Sequence, residues 1–261
     1  ILSPPDAPKL DIQELENELI LTISNPVNSN NYKEHYKEFD PFIVASNPNA
    51  DKYYRFQGYQ IFQVRDKSVS VSDLANPQKA RLVAQCDLKD SVARLINFEY
   101  DNDLQASYPV ERVKGENKGI SHSFKVSNDQ FAVGSKKLVN FKRYYYLAVS
   151  YAYNNYKTYS PDDPDALDGQ KKVYLSSRKA ALGEIGVEEG IPHNPMPEAD
   201  GTYYSLDYGD SPEITKHDGH GNGGLIQRLT ENSIQTILEN GTIDAPVYQK
   251  NNGPIQLKVI D

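Results

Sequence analysis

Four groupings in this sequence hold residue types that chemistry uses. Gly219-x-Gly221-x-x-Gly224, with Asp244 twenty residues further on, has the spacing of a dinucleotide-binding loop. That chemistry needs a buried strand leading in and a helix leading out, so that backbone N–H groups meet a pyrophosphate. The approach here, Ser211 to Asp218, is polar with only Ile214 apolar, and no βαβ unit surrounds it. A turned loop is the expectation, and no cofactor-binding residue is assigned.

His217, His220 and His193, with Asp218 nearby, form the second grouping. Zinc sites use wider His spacing together with further Cys or His ligands. Here two histidines sit in a glycine loop with no cysteine close, so exposed loop histidines are expected and no metal is assigned. Asp162, Asp163, Asp165 and Asp168, followed by Gly169, offer the oxygen ligands that calcium takes. Their spacing is not that of an EF-hand loop, and prolines interrupt them, so a solvated acidic turn is the reading.

Cys86 is the only cysteine, which excludes an internal disulfide. As a nucleophile it would need a nearby base and an electropositive setting. It ends an apolar strand beside Asp87, whose charge would raise the thiol pKa, and reads as a small buried hydrophobe. No Gly-x-Ser-x-Gly elbow supports Ser-His-Asp chemistry, and a carboxylate pair cannot be chosen from 36 acids without a fold. No catalytic residue is assigned. Tyrosines remain: Tyr144, Tyr145, Tyr146, Tyr151 and Tyr153 read as core and sheet-face residues. Tyr203, Tyr204 and Tyr208 could instead stack on sugar rings or on a partner surface.

The elements that must position these groups are mostly strands. Of 261 residues, 19 are Tyr, 8 Phe and none Trp, and short Val/Ile/Tyr runs are broken by Asn, Pro, Gly and Asp. A net charge of -8 without long basic clusters argues against nucleic acid and anionic membranes as partners. No apolar run approaches the ~20 residues of a membrane span. Strands are expected at Lys9–Ile12, Glu18–Ser24, Tyr53–Val64, Ala80–Cys86, Val92–Tyr100, Ser121–Val126, Phe141–Tyr153 and Lys172–Ser176. In the Tyr53–Val64 strand, Tyr59 and Ile61 face one way, Phe62 and Val64 the other. Tyr32–Phe39 is a helical candidate, and residues 26–52 and 101–120 read as long connections. Gly183, Gly186, Gly190 and Pro192 mark a linker or wrap beyond about 180. Leu225–Glu239 is a helix stopped by Asn240-Gly241. The absence of an initial Met, and the alternation of Ile255, Leu257 and Val259 at the end, suggest a fragment of a longer chain.

The strand order resembles a fibronectin type III module. The likeness rests on the Pro5–Leu10 opening, on Gly58-Tyr59-Gln60-Ile61 as a third strand, and on Leu138 followed by Tyr144, Tyr146, Ala148, Ala152 and Asn154. Tyr144 would then be a corner tyrosine whose hydroxyl caps an upstream backbone group. Tyr145, Leu147 and Val149 fit the inward register equally well. The segments Tyr54–Phe62, Ala80–Asp87 and Asp218–Gly224 are similar to modules of very large surface proteins of bacteria that use type IX secretion.

That resemblance implies a mainly β, fibronectin type III/immunoglobulin-like sandwich over residues 1–180. Residues 181–261 would be a Gly/Pro-rich extension with the helix at about 225–239 and the start of a following β domain. It implies a non-catalytic structural or interaction module, extracellular or on the bacterial surface. Its partners would be neighbouring domains of the same chain, and a surface protein or glycan. A carbohydrate-binding module using exposed Tyr, or an accessory fragment of an extracellular enzyme, is the alternative.

Overall fold

The computed structural model of the chain describes residues 2–43, 49–103, 105–195 and 228–249. Contacts divide the chain into two units, Ile1–Tyr204 and Ser205–Asp261. In the first, the strands in chain order are β1 (Lys9–Leu15), β2 (Glu18–Ser24), β3 (Lys37–Phe39), β4 (Tyr53–Val64), β5 (Ala80–Asp87) and β6 (Arg94–Asp101). There follow β7 (Ala106–Lys114), β8 (Ser123–Val126), β9 (Tyr144–Tyr153), β10 (Tyr174–Ser176) and β11 (Glu188–Gly190). The fold is mainly β, with antiparallel sheets packed as a sandwich and one short helix in the second unit.

One sheet runs β1-β2-β8, and the other runs β10-β9-β4 with β3 and β5 both on the far edge of β4. A two-residue turn joins β1 to β2, and Asn17 takes the left-handed conformation (φ 58°) that such turns require. Alternation then drives Leu19, Leu21 and Ile23 inward. They meet Phe56, Tyr59, Ile61, Tyr144, Tyr146, Ala148 and Ala152 from the second sheet, forming the core between the layers. Tyr145, Leu147 and Val149 lie on the opposite face of β9, the latter two in a separate cluster with Val64. Val69, Val71, Leu74, Ile185 and Val187 cover that cluster. Tyr151 packs under Leu95 and Val113 of the β6–β7 hairpin. The larger sheet is therefore covered on both faces, as the two apolar registers of β9 demand.

Close approach explains one glycine. At Gly58, beside a bulge in the β4–β9 pairing, a Cβ would stand 2.2 Å from the Cys86 carbonyl and 2.6 Å from the Tyr151 hydroxyl. Only glycine lets the phenol lie across β4 there.

Several expectations are corrected. Tyr32–Phe39 is not a helix. Tyr32–Glu34 forms a 3-10 turn, Lys33 (φ 54°) and Glu34 (φ 62°) leave the α region, and Lys37–Phe39 pairs with Tyr53–Arg55 as β3. Residues 101–120 are not one long connection, since Ala106–Lys114 within it forms β7 and pairs with β6. Pro109 lies inside β7, tolerated because only one side of that strand is paired. The strand expected from Phe141 starts at Tyr144; Phe141 is 81% exposed with φ 63°. Glu188–Gly190, expected in a linker, adds to the outer edge of β9 opposite Tyr144–Tyr146.

In the second unit the helix α1 is Glu231–Asn240 rather than Leu225–Glu239. Arg228 and Leu229 lie outside it, because Thr230 caps the first turn by accepting from the Ser233 N–H. Gly241 (φ 78°) closes the helix, donating its N–H to the Ile237 carbonyl at 2.8 Å. No helix among the described residues is long and apolar enough to cross a membrane. The expected strand at Ile255–Val259 lies outside the described residues.

Buried tyrosines tie the first unit's loops to its sheets through their hydroxyls. Tyr36 donates to the Ser3 carbonyl at 2.6 Å and Tyr54 to the Lys172 carbonyl at 2.5 Å. The Tyr144 hydroxyl accepts from the Val139 N–H at 2.9 Å, as a corner tyrosine would. Tyr146, fully buried, has a hydroxyl with no hydrogen-bond partner among the described residues. Tyr144→Phe is therefore expected to lower unfolding free energy by about 0.5–1.5 kcal/mol in urea denaturation. Tyr146→Phe, which removes only an unpaired polar atom, is expected to be neutral or stabilising. A larger loss from Tyr146→Phe than from Tyr144→Phe would contradict this division of roles.

Candidate functional site

Most sequence candidates do not converge. Gly219, Gly221, Gly224, His217, His220, Asp218, Tyr203, Tyr204 and Tyr208 lie outside the described residues. Asp244 is exposed in the second unit. His193 Nδ1 lies 2.8 Å from the Ile191 carbonyl and 3.3 Å from Glu14. In the acidic turn, Asp163 caps the 3-10 turn Pro164–Ala166 by accepting from the Asp165 N–H. Asp168 pairs with Lys157, whose hydrogen bond holds that carboxyl below its usual range. Asp163 and Asp168 are thus engaged in separate contacts, and Asp162 and Asp165 are exposed. Among the described residues, no three His, Cys, Asp or Glu side chains gather as a metal site.

Cys86 sits in the core between the sheets, its Sγ 3.4 Å from the Ser121 carbonyl. Burial pushes the thiol above its usual pKa, with smaller contributions from the charges of Glu34 and Asp87.

Two arrangements that the sequence did not reveal bring polar side chains together. The first joins Asn25, Tyr59, Glu34 and His122. Asn25 Nδ2 donates to the Tyr59 hydroxyl at 2.5 Å, and that hydroxyl donates to Glu34 Oε1 at 3.1 Å. His122 Nε2 lies 2.7 Å from the same carboxylate oxygen. The left-handed backbone at Lys33 and Glu34 carries the carboxylate to this meeting point. Burial, and then the Glu34 charge, push the Tyr59 phenol far above its usual range. With the phenol held neutral and the thiolate of Cys86 disfavoured, the cluster is built as a clamp on the 26–36 connection.

The second is a groove of about 560 Å³ on the outer face of the larger sheet. Gln60 and Phe62 of β4, Leu82 of β5 and Tyr174 of β10 form its floor, with Leu74 on one wall and Arg112 of β7 on the other. Gln60, 4% exposed, donates from Nε2 to Gln85 Oε1 at 2.8 Å and to the Arg112 carbonyl at 3.0 Å. Its Oε1 accepts from the Tyr174 hydroxyl at 2.8 Å. Asn97 docks the hairpin wall, accepting from the Val173 and Tyr174 N–H groups at 2.9 Å each. Burial raises the Tyr174 phenol to about 12, so it is a neutral donor. No local alternation signals the hairpin wall at Tyr108-Pro109-Val110, and the groove itself needs the tertiary fold.

Comparison with protein-family models, with curated proteins and with solved structures finds no match.

Because thiolate is the reactive form, Cys86 is expected to resist a disulfide-exchange reagent at pH 8 in the native protein. It should react fully in urea, with a native rate at least roughly a hundredfold below that of free cysteine. Rapid stoichiometric labelling of the folded chain would contradict the placement of this thiol.

Proposed function

We propose that this chain is a non-catalytic interaction module of a large exported cell-surface protein, built on a fibronectin type III-like sandwich. The observation that carries the reading is the groove on the outer sheet face, walled by the 71–75 segment and the β6–β7 hairpin. These two additions turn an otherwise plain sheet face into a shaped concavity lined by apolar and polar side chains. Two features support the fibronectin-like core. The sheets run β1-β2-β8 and β10-β9-β4-β5, the order such a sandwich takes, and the Tyr144 hydroxyl meets the Val139 N–H. The non-catalytic reading is supported by the chemically able groups serving the framework: the Cys86 thiol is buried, and Tyr59 and Glu34 are locked together. The export and surface assignment follows from the likeness of Tyr54–Phe62 and Ala80–Asp87 to type IX-secreted surface proteins, and with it the expectation of neighbouring domains as partners.

Intact cells of the native host, probed with antibodies raised against residues 2–195, are expected to label without permeabilisation. External protease should remove that signal. Labelling only after lysis, with the antigen in the cytosolic fraction, would overturn the surface reading.

A further inference from the structure

We infer that this chain associates with a second copy of itself about a two-fold axis, each copy lodging Leu182 in an apolar pocket of the other. The inference goes beyond the module reading and does not depend on whether the chain is exported.

The pocket, of about 240 Å³, lies between the entry to β1, an edge strand, and the 180–188 segment. It exists because two short strands share one edge of β9. β10 ends at Ser176 and β11 begins at Glu188. Between them the chain crosses to β1, where the Lys179 carbonyl accepts from the Ala7 N–H at 2.9 Å. Ala148 of β9 lines the pocket that this detour leaves, with Pro8, Leu10, Pro26 and Ile185 around it. A cavity of roughly 150 Å³ already holds a benzene ring, so a leucine side chain fits here.

Leu182 stands on the rim of the same pocket, yet it is 89% exposed and so leaves its own pocket unfilled. Its turn is rigid. The Ala180 N–H donates to the Gly183 carbonyl at 2.8 Å, and the Gly183 N–H donates back to the Ala180 carbonyl at 3.2 Å. A leucine held in water on a fixed turn gains burial on docking and loses little backbone freedom.

Knob and hole on one patch are what a two-fold contact requires, because such an interface joins a surface to its own copy. The charges of the lining obey the same rule. Lys9 and Glu188 are its only charged side chains among the described residues, both are exposed, and their signs are opposite. Two-fold symmetry sets Lys9 of one copy against Glu188 of the other. Lys9 pairs with Asp11, but both side chains are more than half exposed, so exchanging that contact costs little. A lipid would leave both charges and the projecting leucine unused. A second copy supplies the complement of each.

The test is sedimentation velocity of the full chain over roughly 1 to 300 µM, in salt near 0.15 M. The weight-average mass is expected to rise with concentration from that of the monomer towards twice that value. Leu182→Arg should weaken association at least tenfold while circular dichroism stays native. Lys9→Glu and Glu188→Lys should each weaken it by about three- to tenfold, and the two together in one chain should restore it. Val133→Arg, fully exposed and outside the pocket lining, should leave it unchanged. Dimers undiminished by Leu182→Arg, or a double charge reversal no better than either single one, would overturn the two-fold arrangement. A chain that stays monomeric throughout would overturn the dimer itself and leave the pocket to a different protein's side chain. Each of these outcomes is separate from the surface reading, which stands or falls on the labelling of intact cells.

Discussion

Burying a phenol ring is most favourable when its hydroxyl finds a partner, and that constraint organises much of the sandwich. A large aromatic side chain removes much apolar surface from water, but an unpaired buried hydroxyl forfeits part of the gain. With no tryptophan, this chain gives the largest fully buried positions of its interior to tyrosines, Tyr59, Tyr146 and Tyr151. Where Tyr36, Tyr54 and Tyr144 come inside, a backbone group meets the oxygen, while Tyr146 keeps a hydroxyl with no partner among the described residues. Tyr36 thereby holds the segment at Ser3, Tyr54 holds the approach to β10 at Lys172, and Tyr144 holds the corner at Val139. The loops are ordered as a consequence of what the core contains.

The same constraint explains the third layer. β9 is buried on both faces, so a two-sheet sandwich alone would leave Leu147, Val149 and Tyr151 in water. The segment around Val69–Leu74 covers the first two, and the β6–β7 hairpin covers the third. Neither cover spans the whole sheet, and the gap between them is the groove. Tyr174 links the two consequences, since its ring packs on Tyr151 while its hydroxyl fixes Gln60 in the groove floor.

Much of this frame was legible because period-two alternation is a strong signal where one or both faces are buried. Leu19-x-Leu21-x-Ile23 faces the core, and Tyr59 and Ile61 are split from Phe62 and Val64 in the structure. Leu138 and Tyr144 were identifiable through their spacing. What was lost had physical causes. Lys33 and Glu34 carry no local mark of left-handed backbone, so the charge pattern there suggested a helix. β7 carries Pro109 and exposed charges because only one side of it is paired. β11 is three residues long and takes its place from pairing with Tyr144–Tyr146, not from its own Glu-Glu-Gly sequence. The groove and the Tyr59–Glu34–His122 cluster join residues distant in sequence, and no local pattern encodes them.

Alkaline titration of tyrosinate absorbance, with circular dichroism followed in parallel, addresses the core claim most directly. Burial raises the phenols of Tyr36, Tyr54, Tyr59, Tyr146, Tyr151 and Tyr174, with Tyr54 and Tyr174 at about 12 and the others higher. In the unfolded chain all of them lose protons near pH ~10. The folded state therefore binds more protons above that pH, and the stability these groups lend is intact below it and falls as pH rises. The expected result is that these six ionise only at or above about pH 12, together with unfolding, and that the dichroism stays native until they do. A single step near pH ~10 that ionises every tyrosine while the dichroism stays native would contradict the account.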